Sequence, residues 1–220
     1  MNGKVNALDD AGRSLRLPPG SAAGPVSDVL AYGVAPATGV ALAFLVPMAD
    51  RRGDEGALDA LLVMEATLTF AVLQQGLTAV LPRERPREHA ESAADRASSL
   101  TRRSAFESFP AGHNGSAFAI AAAGGTVATM RGYRLAPLVW IAGGAIALTT
   151  SYLRIAADRH YVSDVLSGAA LGIGTGIAVP LLFHRPIGAR PNAALRLLNG
   201  ATLSTSEVPG GRLIGVGGVF

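Results

Sequence analysis

Five runs of apolar residues, at 27–49, 57–81, 114–130, 135–153 and 162–183, are separated by polar stretches. A bilayer core of about 30 Å is crossed by about 20 helical residues, with a range of about 17–25. All five runs fall in that range, the third at its short end. Their apolar residues lie on all sides rather than in one stripe, so they do not read as surface helices. Sheet is disfavoured for them, because an open edge in lipid leaves backbone groups unpaired. The pattern predicts an all-α integral membrane bundle of about five transmembrane helices. Residues 1–26 precede it, 27–184 form the membrane-embedded domain, and a short Gly-rich tail, 185–220, follows.

Composition sharpens this picture. Charged residues make up 16% of the chain, against about 25% in an average soluble domain. Hydrophobic residues reach 49% and mean hydropathy is +0.33, which excludes both a charged water-soluble globule and a disordered chain. Residues 1–26 carry Asp9, Asp10, Arg13 and Arg16 and no apolar core of a cleavable signal. In the tail, Pro209-Gly210-Gly211 reads as a turn and 213–220 as a strand packed on something. Gly168, Gly172 and Gly176 lie four apart, as do Gly115, Ala119 and Ala123, a spacing that lets helix backbones approach closely in lipid.

The net charge is +3, carried by 18 Arg and a single Lys, Lys4. No basic stripe is interleaved with aromatics, so nucleic acid is a poor partner. Phosphate groups or anionic headgroups are better ones. The absence of Cys removes disulfides, thiolate metal sites and a Cys nucleophile. With five spans, the N-terminus, loop 82–113 and loop 154–161 share one membrane face. Lys and Arg divide almost evenly between the two faces, so charge does not orient the chain.

Three clusters on that shared face carry chemistry. Arg83-Glu84-Arg85-Pro86 follows the second run, and Pro110-Ala111-Gly112-His113 precedes the third. Arg154, His160 and Asp164 end the fourth run and begin the fifth. His160 and Asp164 are four apart, one face of a helix, so the carboxylate would fix the imidazole tautomer and free the other nitrogen as a nucleophile. The forks of Arg85 and Arg154 suit phosphate oxygens, and Gly112 lets a ligand approach the backbone at a helix N-terminus. His113 is placed to protonate a leaving oxygen. Together the clusters form a site for phosphoryl transfer to histidine, and the set requires no metal. Arg83, Arg87, Arg102 and Arg103 read as loop charges facing water or headgroups, with Arg83 also a spare cation for phosphate. Glu65, inside the second run, calls for a hydrogen bond to another span, such as to Thr149 or Thr150. Gln74 and Gln75 read as structural, His89 and His184 as surface residues, and Trp140 as packing.

In this form the sequence resembles the type 2 phosphatidic acid phosphatase superfamily, which also includes vanadium haloperoxidases. That family's motifs are Lys-x6-Arg-Pro, Pro-Ser-Gly-His and Ser-Arg-x5-His-x3-Asp, and all three occur here in order over about residues 57–184. Each carries one substitution: Thr78 for the Lys, Ala111 for the Ser of the second, and Leu153 for the Ser of the third. The family commonly has six spans, where five are visible here.

The resemblance implies that His160 becomes a phosphohistidine, Asp164 orients it and His113 is the acid. It implies that Arg85, Arg154 and Gly112 hold the phosphate. The backbone N–H of Ala111 is expected to serve in place of the motif Ser, and Thr78 to add at most a neutral hydrogen bond. The implied activity is metal-independent, cofactor-free hydrolysis of a phosphate monoester or diphosphate at the extracytoplasmic surface. An amphiphilic substrate is expected, such as phosphatidate, an isoprenyl diphosphate or phosphatidylglycerophosphate. Two alternatives stay open: a lipid phosphotransferase, and a non-catalytic protein that binds anionic lipid, which the loss of the Lys at 78 keeps in play.

Overall fold

The computed structural model describes residues 6–18, 20–89, 101, 103–184, 202–208 and 211–217. The chain divides into two compact units, Met1–His184 and Arg185–Phe220.

The first unit is helical. A short α1, Ala7–Gly12, precedes the long α2, Ala23–Ala49. Next come α3, Gly56–Val80, and the single turn α4, Pro86–His89. Then follow α5, Gly112–Arg131, α6, Ala136–Ala156, and α7, Val162–Phe183. Local chemistry sets the boundaries. Pro82 follows the end of α3, and Gly132 closes α5 in the left-handed conformation at φ 70°. Pro137 opens the first turn of α6, where its missing N–H costs nothing. In α2 a π turn spans Leu30–Val34, and Ala35 N–H bonds to the carbonyl of Leu30. Pro36 directly follows and lacks the N–H that Tyr32 would otherwise accept, which accounts for the widened turn.

Four of these helices are long and apolar enough to cross a bilayer: Ala23–Ala49, Gly53–Val80, Ala136–Ala156 and Val162–Phe183. The fifth long helix, α5, has 20 residues, enough for about 30 Å. It is less apolar, and the packing gives the reason. It touches α2, α3, α6 and α7, and eleven of its residues are buried. Exposed large apolar side chains such as Phe44, Leu61, Val72, Ile141 and Leu182 lie on the other four helices, and none lies on α5. Meeting protein instead of lipid, α5 uses Gly, Ala and Thr where its neighbours use Leu and Val.

The two small-residue stripes face each other across the α5–α7 contact. A Cβ on Gly168 would lie 2.3 Å from the carbonyl oxygen of Ala111. One on Gly172 would lie 2.2 Å from that of Gly115, and one on Gly176 would lie 2.7 Å from that of Ala119. These obstacles are backbone and do not rotate away. Gly172→Val is therefore expected to cost about 3 kcal/mol or more. Thermal unfolding in detergent reads this as a clear fall in Tm, whereas Gly174→Val, at an open position, leaves Tm near wild type.

One end of the bundle carries the site. There the Ala111 N–H donates to the carbonyl of Asp164 at 3.1 Å, tying the start of α5 to the start of α7. The N-terminal segment packs on the same end: Leu17 N–H bonds the Ala156 carbonyl, and Asp9 accepts from Ser163 N–H at 2.8 Å. At the other end Arg52 pairs with Glu55, and Arg131 pairs with Asp59. Glu65 bonds His184 at 2.5 Å, and His184 is the surface residue that the sequence predicts, with this carboxylate as its partner. Thr149 and Thr150 instead bond carbonyls one turn back on their own helix. Trp140 packs over Gly125 and donates to Thr129.

In the second unit, β1, Thr202–Val208, pairs antiparallel with β2, Gly211–Gly217. The strand read from the sequence at 213–220 is thus present over 213–217 and starts two residues earlier. The surface it packs on is β1. Residues 209–210 of the turn and 218–220 lie outside the described residues.

Candidate active site

The three sequence clusters converge where α5 begins and α6 gives way to α7. The rings of His113 and His160 have centroids 6.5 Å apart and planes tilted by 51°. His113 sits in the first turn of α5, which has no side-chain cap on its free N–H groups. His160 lies in the short link between α6 and α7 and is 3% exposed. Arg154, in the last turn of α6, is 1% exposed.

The hydrogen bonds assign both imidazole tautomers. His160 Nδ1 lies 2.8 Å from the backbone carbonyl of Ser108. A carbonyl only accepts, so Nδ1 carries the proton and Nε2 presents its lone pair. That Nε2 is buried and has no partner among the described residues. Burial, reinforced by Arg85 and Arg154, holds His160 well below the usual imidazole range and so keeps it neutral. His113 has the opposite arrangement. Its Nδ1 is 2.8 Å from Arg154 Nη2, which only donates, so Nδ1 accepts and Nε2 carries the proton.

Asp164 does not make the direct bond to His160 that the spacing predicts. Its Oδ2 is 4.0 Å from His160 Nδ1. It accepts instead from Ser108 Oγ at 2.5 Å and from Tyr161 N–H at 3.0 Å, while Oδ1 accepts from Arg83 at 2.5 Å. The physical reason is that α7 begins at Val162, so His160 precedes the helix and does not share a helical face with Asp164. Asp164 lies in the first turn and serves that helix end, as a capping carboxylate does. Its hold on His160 runs through Ser108, whose hydroxyl donates to the carboxylate and whose carbonyl receives the imidazole N–H.

Arg83 is likewise corrected from a loop charge to a structural one. It bridges Asp164 and Asp9, donates to Ser163 Oγ at 2.7 Å, and lies 4.2 Å over the Tyr161 ring. Two phosphate-binding expectations also change. The Ala111 N–H is already committed to the Asp164 carbonyl, and Ala111 is fully buried, so it does not offer a donor. Thr78 donates to the Phe109 carbonyl at 3.2 Å and accepts from Gln74 at 2.9 Å, so its hydroxyl braces the loop before α5. Gln74 bonds the Pro110 carbonyl at 3.1 Å and lies against Gly112, where a Cβ would come within 3.3 Å of its amide carbon. Gln74 and Thr78 thus support the turn that presents Gly112 and His113. Arg102 and the side chains of Arg103 and His89 fall outside the described residues.

The cations remain for an anion. Arg85 donates to three backbone carbonyls, those of Ser104, Arg159 and Glu107. Burial, with Arg87 and Arg159 nearby, lowers it from the ordinary guanidinium value. Its positive charge is therefore disfavoured where it stands, and a bound anion would relieve that. Arg154 donates through Nη1 to Asp28 Oδ1 at 2.5 Å and Ser27 Oγ at 3.1 Å. Its buried Nε has no partner among the described residues. Ser108, Asp28, Asp9 and Arg159 were not singled out from the sequence. Only Asp28 carries a local signal, an acid at the edge of an apolar run.

This geometry meets the comparisons with known proteins. The PAP2 superfamily model matches residues 59–187, more than half the chain, and the chain belongs to that superfamily. It is an integral membrane protein with the fold of the family's membrane members. Its structure is similar to that of a transmembrane PAP2-type phosphatidylglycerolphosphate phosphatase from Bacillus subtilis, with a TM-score of 0.52 and 23% identity. That match covers 79% of this chain and 81% of the other. Over 72 residues the chain is 40% identical to lipid A 1-phosphatase of Porphyromonas gingivalis. The aligned stretch is 33% of this chain and spans 15% of that relative's length.

Proposed function

We propose that the protein hydrolyses a phosphate monoester or diphosphate of a membrane lipid through a phosphohistidine at His160. The observation that carries this reading is the buried, unpartnered Nε2 of His160, whose tautomer is fixed by the Ser108 carbonyl. A neutral imidazole with its lone pair free beside buried guanidinium groups is a poised nucleophile for phosphorus. Burying such an atom without a partner costs free energy, and a ligand at that point repays it.

In the first step Nε2 attacks phosphorus and the bond to the ester oxygen breaks. The departing oxygen takes a proton from His113. Arg85 and Arg154 stabilise the charge on the equatorial oxygens. In the second step His113 accepts a proton from water, water oxygen bonds to phosphorus, and the P–N bond returns its electron pair to His160. The site at one end of a bundle with lipid-facing walls suits a substrate whose tail stays in the bilayer. Both named relatives act on lipid phosphates by their titles, which supports the same substrate class here.

The test uses the purified full chain in detergent with dioctanoyl phosphatidate and a chelator. Release of inorganic phosphate at a rate proportional to enzyme is the predicted result. Release of no phosphate from this ester or from a farnesyl diphosphate control would overturn the reading.

A further inference from the structure

The first membrane helix brings a carboxylate into the site from outside the matched family region, which starts at residue 59. Asp28 Oδ1 lies 3.3 Å from His113 Nε2 and accepts from Arg154 at 2.5 Å. Its side chain is 40% exposed. One turn along, within the widened turn of α2, the Tyr32 ring packs on His113 with centroids 4.5 Å apart. Among the described residues, the other charges acting most strongly on His113 are cationic: Arg154 on α6, Arg85 after α3, and Arg159 before α7. Asp28 is the carboxylate among them.

We infer that Asp28 is the positioning residue for the acid, forming a carboxylate–imidazole pair with His113. The argument is geometric. A carboxylate at Nε2 fixes the proton there and turns Nδ1 toward the Arg154 fork, where a phosphate would sit. It also favours the imidazolium form that the acid step requires, against three guanidinium groups that oppose it. The two imidazoles of the site are then held in opposite tautomers by two separate devices. His160 is held through Nδ1 by Ser108, which leaves Nε2 to attack. His113 is held through Nε2 by Asp28, which leaves Nδ1 to exchange a proton with the leaving oxygen. The proton that loads His113 comes from water, and after the ester oxygen takes it His113 is neutral and ready to receive one from the attacking water. The step balances without a further reactant.

This inference rests on the hydrolase reading, so its test separates the two. Asp28→Asn and Asp28→Glu are compared with wild type on dioctanoyl phosphatidate, whose alkoxide leaves poorly, and on 4-nitrophenyl phosphate, whose phenolate leaves without help. For Asp28→Asn we expect kcat on the alkyl ester to fall roughly 10–100-fold. The fall on the aryl ester should be less than about threefold, because that leaving group does not need the acid. The alkaline limb of the alkyl profile should move to lower pH, and Asp28→Glu should recover most of the loss. Equal losses on both esters would mean that Asp28 merely holds Arg154. No loss on either, or a gain from removing a competing carboxylate, would equally overturn the assignment.

A second readout is independent of turnover. The chain has only four histidines, so the 15N resonances of His113 are assignable in histidine-labelled protein. Asp28→Asn should lower the pH at which His113 titrates. An unchanged titration overturns the pair whatever the activity, whereas a lowered one in a protein without hydrolase activity overturns only the hydrolase reading.

Discussion

His160→Ala is expected to abolish phosphate release, with kcat reduced at least ~10³-fold on alkyl and aryl esters alike. The loss is independent of leaving group because the variant removes the atom that attacks. Alanine introduces no buried charge, since the imidazole it replaces is neutral, but it leaves a void and an unpaired buried Ser108 carbonyl, so Tm should fall by an amount equivalent to about 1–3 kcal/mol while the fold is kept. The same protonation argument fixes the pH dependence. His160 is held well below the usual imidazole range by burial, then by Arg85 and Arg154. The reactive form is the neutral one, so protonation silences it only at pH well under 6.5. The acid limb of kcat/KM caused by His160 should therefore be absent between pH 7.5 and 6.5, and a limb centred near 6.5 would contradict its buried, unpaired state.

The second large effect falls on Arg154. Arg154→Lys keeps the charge and loses the planar fork, which here divides its donors among Asp28, Ser27 and His113 and holds Nε in reserve. A lysine ammonium has three donors and cannot span these acceptors and a phosphate together. We expect kcat to fall ~10²-fold. KM should rise less than kcat falls, because the lost contacts strengthen as charge builds on the equatorial oxygens. Thermal unfolding of the variant checks that the loss is chemical. An unchanged kcat would show that the fork does not meet the transferring group.

The helical architecture was legible because lipid imposes a simple rule, long apolar runs, and α2, α3, α6 and α7 obey it. The role of α5 as the central helix was only half visible. Its stripe of Gly115, Ala119 and Ala123 could be read, but its partner stripe on α7 is a fact of packing. The pairing of β2 with β1 was hidden for the same reason. Within the site, residues in short motifs were found and then placed together: His113, His160, Arg154 and Asp164. Their bonding pattern was not readable, because His160 stands one residue before the N-cap of α7 and the periodicity of a helix does not apply there. Ser108 reaches the site from a loop and Asp9 from the short α1 outside the apolar runs, and neither position follows a spacing rule. Asp28 obeyed the rule that singled out Glu65, a charge within an apolar run, and the same reasoning applied to 27–49 would have reached it.

The central claim is that the phosphoryl group passes through His160. It is tested most directly by mixing the full chain with phosphatidate labelled with 32P in its phosphate, quenching in alkali within milliseconds and locating the label. The account predicts base-stable, acid-labile label on the peptide that contains His160, formed before inorganic phosphate and missing in His160→Ala. Label on any other residue, or phosphate released at full rate by His160→Ala, would contradict it.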